Sequence, residues 1–134
     1  MPVLDTEVLF ALDPRDKKHA KALKLLASAK GLSAPDASLL EFQLVLRSRG
    51  LGPKERAEAI SDVYLILSAH GVGEAKTIDS GLLALQCKVE SEYHLTFFDS
   101  LVAASALSLD SSVVSDDEAF DSVLGLRRIP LGQR

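Results

Sequence analysis

Four acidic residues stand at points where short apolar segments give way to helical patterns. They lie far apart in the chain of 134 residues, at Asp5, Glu41, Asp99 and Asp117. Asp99 has the most apolar surroundings in the sequence, because it lies between two phenylalanines and a run of small apolar residues in HLTFFDSLVAASAL. An ionised carboxylate in apolar surroundings is costly unless it is hydrogen-bonded, paired or bound to a metal. The four acids are therefore either helix caps or parts of a site.

Each acid has a purely structural explanation as a helix cap. Asp5 can accept a hydrogen bond from a free backbone N–H at the start of a helix. Glu41 and Asp99 each follow a Ser or Thr by three residues, which is the spacing of a capping box. Asp117 competes with its two preceding residues for the same role. These explanations remain open one by one, but together they do not explain why four acids should meet at one end of a sheet.

Divalent metal binding is the chemistry that would bring four carboxylates together. Mg²⁺ and Mn²⁺ prefer hard oxygen ligands, and Mg²⁺ usually keeps several waters beside one or two carboxylates. Two such ions about 3.5–4 Å apart can stabilise both the attacking and the leaving oxygens of a phosphodiester displacement. The cations also offset the repulsion that raises the pKa of clustered carboxylates. The acids therefore suggest metal-dependent cleavage of phosphodiesters.

The elements that must position these acids alternate along the chain. Short apolar runs predict strands at 2–5, 32–35, 75–78, 111–117 and 126–131. Helical patterns follow them at 7–12, 16–29, 37–49, 54–70, 79–92 and 98–109. This alternation predicts an α/β fold, with a central parallel sheet of four to five short strands covered on both faces. In such sheets the functional site lies beyond the carboxyl ends of the strands, where Asp5 and Asp117 fall.

The composition predicts one soluble domain over residues 1–134. Hydrophobic residues make up 47% and charged residues 25%, and the longest apolar clusters are far too short to span a bilayer. The N-terminal segment has no basic region or cleavage site of a signal peptide. The single cysteine, Cys87, excludes an internal disulfide and a cysteine-rich zinc site. We therefore expect a cytoplasmic protein that does not bind membranes.

Taken in order, the four acidic segments resemble the motifs of the PIN domain family, most closely the small toxin ribonucleases of VapC type. The segments read VLDTEVLFAL, APDASLLEFQLVLRSRG, LTFFDSLVAASAL and SDDEAF, and they span nearly the whole chain. The resemblance implies a three-layer α/β/α fold and a catalytic, metal-binding quartet of Asp5, Glu41, Asp99 and Asp117. It further implies a water-mediated ligand or a cap at Asp116, and hydroxyls that hydrogen-bond within the acidic pocket at Thr6 and Ser115.

The resemblance also implies a function. The implied activity is that of a Mg²⁺- or Mn²⁺-dependent endoribonuclease, in which metal-activated water attacks the RNA. The implied biological role is that of the toxin in a toxin–antitoxin pair. The implied partners are RNA, a second copy of the chain in a homodimer, and a small antitoxin protein. The family usually has Asn where this chain has Glu7, so an extra acid either alters metal affinity or points outward. The alternative is a PIN-fold protein without nuclease activity that binds RNA or protein.

The charge distribution bears on the substrate. The formal net charge of -4 has the wrong sign for a nucleic-acid binder. A basic cluster nevertheless occurs early in the chain, at Arg15, Lys17 and Lys18. A solvated helix face is the default explanation, and contact with the RNA backbone is the alternative.

Other Mg²⁺-dependent α/β domains fit the sequence less well. A phosphatase-like domain would have a second Asp two residues after Asp5, where this chain has Glu7. A receiver-like domain would have adjacent acids early in the chain and a lysine at the end of a late strand, and neither occurs.

Overall fold

A five-stranded parallel sheet forms the centre of the computed structural model, which describes residues 1–132. The strands are β1 (Val3–Leu4), β2 (Ser33–Pro35), β3 (Gly73–Ala75), β4 (Ser112–Val114) and β5 (Arg127–Ile129). Their order is β3-β2-β1-β4-β5, and every neighbouring pair is parallel. The chain runs outward from β1 to β3 and then returns to β4 on the other side of β1. The strand order therefore reverses between β1 and β4, where a parallel sheet opens a crevice at its carboxyl edge.

Six helices and one short 3₁₀ helix cover the two faces of this sheet. They are α1 (Thr6–Phe10), α2 (His19–Ser28), α3 (Asp36–Ser48), α4 (Pro53–Ala69), α5 (Ser80–Tyr93), α6 (Phe97–Leu107) and the 3₁₀ helix Glu118–Ser122. The predicted three-layer α/β/α fold is confirmed, with five strands. None of the helices within the described residues is long and apolar enough to cross a membrane.

The two faces of the central strands belong to two different cores, because successive side chains of a strand point to opposite faces. Leu4 and Val114 lie in the core that includes residues of α1, α2, α3 and α4. Val3 and Val113 lie in the core formed with α5 and α6. All four side chains are fully buried. Both faces of β1 and β4 are thus apolar, as is typical of a parallel sheet.

Helix α6 is the most deeply buried of the helices, since all residues from 100 to 106 are buried. Its short side chains, such as Ala103 and Ala104, are fully enclosed in the second core. Asp99 lies in its first turn. A helix that is apolar on nearly every side therefore carries one of the predicted site acids at its end.

The predicted boundary of the third strand is wrong. The apolar run at 75–78 predicted that strand, but β3 comprises Gly73–Ala75. The backbone N–H groups of Thr77 and Ile78 donate to the carboxylate of Asp36, at 3.0–3.1 Å, instead of continuing the sheet. A side chain at the start of α3 thus satisfies backbone donors that a strand would otherwise pair.

Candidate metal centre

Asp5 joins the end of β1 to the end of β4. Its Oδ1 accepts a hydrogen bond from the backbone N–H of Thr6 at 2.8 Å, which makes Asp5 the N-cap of α1. Its Oδ2 accepts a hydrogen bond from the hydroxyl of Ser115 at 2.7 Å, and the residue is only 6% exposed. The capping explanation is therefore confirmed. The contact with Ser115 goes beyond capping, because it connects residues that are 110 positions apart.

Ser115 connects Asp5 to Asp117. While it donates to Asp5, its hydroxyl oxygen accepts the backbone N–H of Asp117 at 3.0 Å. Asp117 in turn caps the 3₁₀ helix, because its Oδ1 accepts the N–H of Ala119 at 2.9 Å. Since β1 and β4 are paired neighbours, this network brings Asp5 and Asp117 to one edge of the sheet. Ser115 makes the kind of hydrogen bond to a site acid that the resemblance implied.

Glu41 is held by the other predicted hydroxyl. Thr6 Oγ1 donates to Glu41 Oε1 at 2.5 Å, which links the first turn of α1 to α3. The capping box predicted as an alternative for Glu41 is wrong, because the hydroxyl of Ser38 donates to the carbonyl oxygen of Leu4 at 2.7 Å. Glu41 therefore directs its carboxylate to the start of α1 rather than to the start of its own helix.

Asp99 interacts electrostatically with the other acids. The side chain of Thr96 caps α6 by accepting the backbone N–H of Asp99 at 3.2 Å, so the carboxylate of Asp99 is not required as the cap. Partial burial raises the pKa of Asp99, and the negative charges of Asp117, Glu41 and Glu7 raise it further. The charge of Asp99 in turn raises the pKa of Asp5, so Asp99 lies within electrostatic reach of all three other members of the predicted quartet.

Asp5 shows the largest effect of this environment. Burial raises its pKa from 3.8 to about 7, and the charges of Asp99 and Glu7 add to the increase. The hydrogen bonds from Ser115 and Thr6 act in the opposite direction but do not outweigh burial. The acids therefore share one electrostatic environment at the carboxyl edge of β1 and β4.

The donor set fits a magnesium or manganese ion in its chemistry, since all its members are carboxylates. Within residues 1–132, no three His, Cys, Asp or Glu side chains lie close enough together to form a ready coordination shell. Mg²⁺ usually takes one or two carboxylates and keeps several waters, so it does not require three carboxylates in direct contact. A cation among them would also offset the repulsion that raises the pKa of Asp5 and Asp99.

Glu7, where the resemblance implied a different residue, lies beside the site, against the turn after β4. Its Oε1 accepts the backbone N–H of Asp116 at 3.1 Å and lies 3.4 Å from the hydroxyl of Ser115. Asp116 itself accepts the N–H of Leu131 at 2.9 Å and pairs with Lys18 Nζ at 2.9 Å. Both oxygens of Asp116 are thus engaged away from the quartet, and its role as a further ligand remains a prediction.

The family model of the PIN domain matches residues 3–125. This chain belongs to the PIN domain family. A search of curated proteins gave no significant match. The predicted family is therefore confirmed by a match that spans most of the chain.

Solved structures similar to this PIN domain include proteins of toxin–antitoxin systems. VapC20 of Mycobacterium tuberculosis, described as a sarcin-ricin loop cleaving toxin, is 18% identical with a TM-score of 0.72, over 95% of this chain and 99% of that chain. VapBC2 of Rickettsia felis, bound to a DNA fragment from its promoter, is 16% identical with a TM-score of 0.69, over 96% of each chain. FitAcB of Neisseria gonorrhoeae is 18% identical with a TM-score of 0.70, over 98% of each. At such identities the likeness shows a shared fold.

Two of the three basic residues predicted to bind substrate have acidic partners within the PIN domain itself. Arg15 pairs with Asp13 at 2.7 Å, and Lys18 pairs with Asp116. Lys17 is exposed. Sequence reasoning missed the position of Lys18 beside the acidic site. The extra acid Glu7 was the available signal, because a partly buried carboxylate near other acids favours a cationic neighbour.

An apolar groove of about 600 Å³ lies apart from the four acids, along α1, α3 and α4. The rings of Phe10 and Phe42 lie 4.7 Å apart within it, and the guanidinium of Arg49 stacks 4.7 Å from the centre of the Phe10 ring. Leu65 of α4 also lines the groove and is 62% exposed. The groove thus presents aromatic and aliphatic surface to solvent.

Proposed function

We propose that this PIN domain is a Mg²⁺- or Mn²⁺-dependent endoribonuclease and the cytoplasmic toxin of a toxin–antitoxin pair. The observation that carries the proposal is the convergence of Asp5, Glu41, Asp99 and Asp117 on one electrostatic site where the strand order reverses. Membership of the PIN family supports it. So does the description of a similar structure, VapC20, as a toxin that cleaves the sarcin-ricin loop.

The residues of the chain hold the acids in place before any ligand binds. Ser115 and the backbone of Thr6 fix both oxygens of Asp5, while the hydroxyl of Thr6 orients Glu41. Thr96 caps α6 by accepting the backbone N–H of Asp99, which fixes the first turn that carries this carboxylate. When bound, a divalent cation would supply an activated water and stabilise charge on the phosphodiester oxygens. No side chain is required as the nucleophile.

The experiment that tests the proposal compares the wild-type protein with Asp99→Asn in an RNA cleavage assay with Mg²⁺ or Mn²⁺. We expect cleavage to fall by at least about 100-fold, because even the outer-shell partners of metal ligands are worth 10- to 100-fold. Asp62→Asn, an exposed position on α4, is the matched control and should cleave like the wild type. Equal cleavage by wild type and Asp99→Asn would refute the site. Metal binding without cleavage by the wild type would favour the alternative of a PIN-fold binding module.

We further propose that the antitoxin docks in the groove along α1, α3 and α4. Its wall is apolar, and its charged residues are of both signs, with Asp13 and Asp62 near Arg15 and Arg49. Such a surface suits an amphipathic segment that buries apolar residues and has charges of both signs at its edges. A similar structure is described as a toxin–antitoxin complex from Klebsiella pneumoniae, with 15% identity and a TM-score of 0.66 over 94% of this chain and 95% of that chain.

Leu65→Glu tests this docking, because Leu65 is 62% exposed and its replacement leaves the core intact. The test co-expresses this chain with a small protein encoded by a neighbouring gene and measures whether the two co-purify. We expect Leu65→Glu to lose that protein, while Leu83→Glu, at a 41% exposed position on α5, retains it. Retention by both variants would place the partner elsewhere.

A homodimer is part of the proposed function. Leu40 and Leu44 lie one turn apart on α3 and are 44% and 39% exposed, which supports an apolar contact between two copies. Sedimentation equilibrium of the full chain checks this expectation, and a monomer across the concentration range would contradict it.

A further inference from the structure

Lys18 lies between two carboxylates beside the predicted metal site. Its Nζ is 2.9 Å from Asp116 Oδ2 and 3.4 Å from Glu7 Oε2. The three side chains are only partly exposed, at 31% for Lys18 and 28% for each acid. Their net charge is -1, the same as that of Asp116 alone. Glu7 and Lys18 thus add no net charge near the site.

The second oxygen of Glu7 acts on the turn that carries two of the site residues. Glu7 Oε1 accepts the backbone N–H of Asp116 at 3.1 Å and lies 3.4 Å from the hydroxyl of Ser115. That hydroxyl donates to Asp5 and accepts the N–H of Asp117. Glu7 therefore contacts the turn at Asp116 and Ser115, while its charge acts on Asp5 and Asp99.

We propose that Glu7 is a positioning residue for the turn after β4, and that Lys18 is a built-in counter-cation that keeps Glu7 in this role instead of letting it bind the metal. The inference rests on the proposed metal-dependent function. Lys18 contacts Glu7 Oε2, which also lies 3.4 Å from the backbone nitrogen of Asp116, and Oε1 accepts the same N–H at 3.1 Å. The ion pair thus keeps the carboxylate of Glu7 on the backbone of the turn. Without Lys18, Glu7 and Asp116 would repel each other and add negative charge to the site.

A double-mutant cycle tests the charge compensation, with Mn²⁺ affinity of the metal-free protein measured by calorimetry. Lys18→Met should bind Mn²⁺ about 3- to 10-fold more tightly, and Glu7→Gln more weakly by a similar factor, because each changes the charge near a divalent ion by one unit. The double variant Glu7→Gln/Lys18→Met restores the net charge and should lie within about 2-fold of wild type. Lys17→Met, an exposed neighbour, is the control and should change affinity less than Lys18→Met.

The positioning role of Glu7 is tested separately, by comparing Gln and Ala at this position. Gln at position 7 keeps an oxygen that can accept the N–H of Asp116, whereas Ala does not. Glu7→Ala/Lys18→Met has the same net charge as the Gln double variant, but we expect it to bind Mn²⁺ several-fold more weakly. Equal affinities of the two double variants would overturn the positioning role.

The remaining outcomes separate this inference from the proposed function. Loss of Mn²⁺ binding by Glu7→Gln/Lys18→Met, as severe as that of Asp99→Asn, would show that Glu7 ligates the metal and would overturn the inference alone. Unchanged affinity in every variant would also overturn it. A wild-type protein that does not bind Mn²⁺ would overturn the proposed function and the counter-cation role together. In that case the ion pair between Glu7 and Lys18 is still tested by thermal unfolding of the two single variants and the double variant without metal. Additive effects of the two substitutions on stability would refute the ion pair.

Discussion

At the scale of single residues, the carboxylates of the site differ in how they are held. Asp5 is buried and hydrogen-bonded through both oxygens, whereas Asp99 is partly buried and close to several negative charges. The pKa of both is raised, with burial as the main cause. Metal binding requires deprotonated carboxylates, so protons and metal compete for the same oxygens. The site is therefore sensitive to pH in a range where an ordinary Asp is fully ionised.

The raised pKa of Asp5 predicts that the metal-free protein loses stability as the pH rises. The folded state holds the Asp5 proton up to a pKa of about 7, whereas the unfolded chain releases it near 3.8. The free energy of unfolding should therefore decrease from about pH 4 to pH 7, by an Asp5 contribution on the order of 4 kcal/mol, and then level off. The pKa of Asp99 is shifted in the same direction.

Urea unfolding in EDTA at pH 5 and at pH 7.5 measures this effect in the wild type and in Asp5→Asn. The variant lacks the titrating group, so its stability should change less between the two pH values. Groups whose pKa is lowered, such as Asp36 and Asp116, lose their contribution only at lower pH. The same pH dependence in both proteins would contradict the assignment to Asp5.

At the scale of elements, sequence patterns predicted the features that depend on neighbouring residues, such as helix caps. The capping-box spacing before Asp99 predicted a cap at Thr96, and the structure confirms that Thr96 caps α6. The third strand was misplaced because its backbone donors bind Asp36, a residue 41 positions away. The bond between Thr6 and Glu41 likewise spans 35 residues. Contacts of this kind follow from the packing of helices on the sheet, which the spacing of apolar residues does not specify.

The contact between α1 and α3 carries a prediction about metal affinity. Thr6→Val keeps the side-chain volume but removes the hydroxyl that donates to Glu41 Oε1. We expect Mn²⁺ affinity to fall about 10-fold, since a hydrogen bond to a charged group is worth about 1.5–3 kcal/mol and water replaces part of it. Thr6→Ser retains the hydroxyl and serves as the control. Calorimetric titration measures both variants, and equal losses in both would show that the hydroxyl does not orient Glu41.

At the scale of the whole molecule, the sequence showed how many charges the chain has but not which of them neutralise each other. The net charge is -4, and the acidic site accounts for part of it. Arg15 and Lys18 are paired with acids of the same chain, which leaves less basic surface than the predicted cluster suggested. Lys17, Lys21 and Lys24 are exposed at and near the start of α2. The pKa of Asp116 is lowered overall, because hydrogen bonds and the charges of Lys18 and, more weakly, Lys21 outweigh the opposing effect of burial. Lys21 therefore lies near the site.

This exposed lysine row predicts how RNA is held. Replacing Lys17, Lys21 and Lys24 by Ala should weaken binding of a single-stranded RNA oligonucleotide and reduce the slope of log affinity against log salt by about 2, or about 0.7 for each phosphate contact. Fluorescence anisotropy in EDTA, where no divalent metal supports cleavage, measures both quantities over a range of salt. The control replaces Lys54, Lys76 and Lys88, which are exposed on other elements and change the net charge equally. If both triple variants lose affinity alike, the effect is one of overall charge and the row beside the site does not position the RNA.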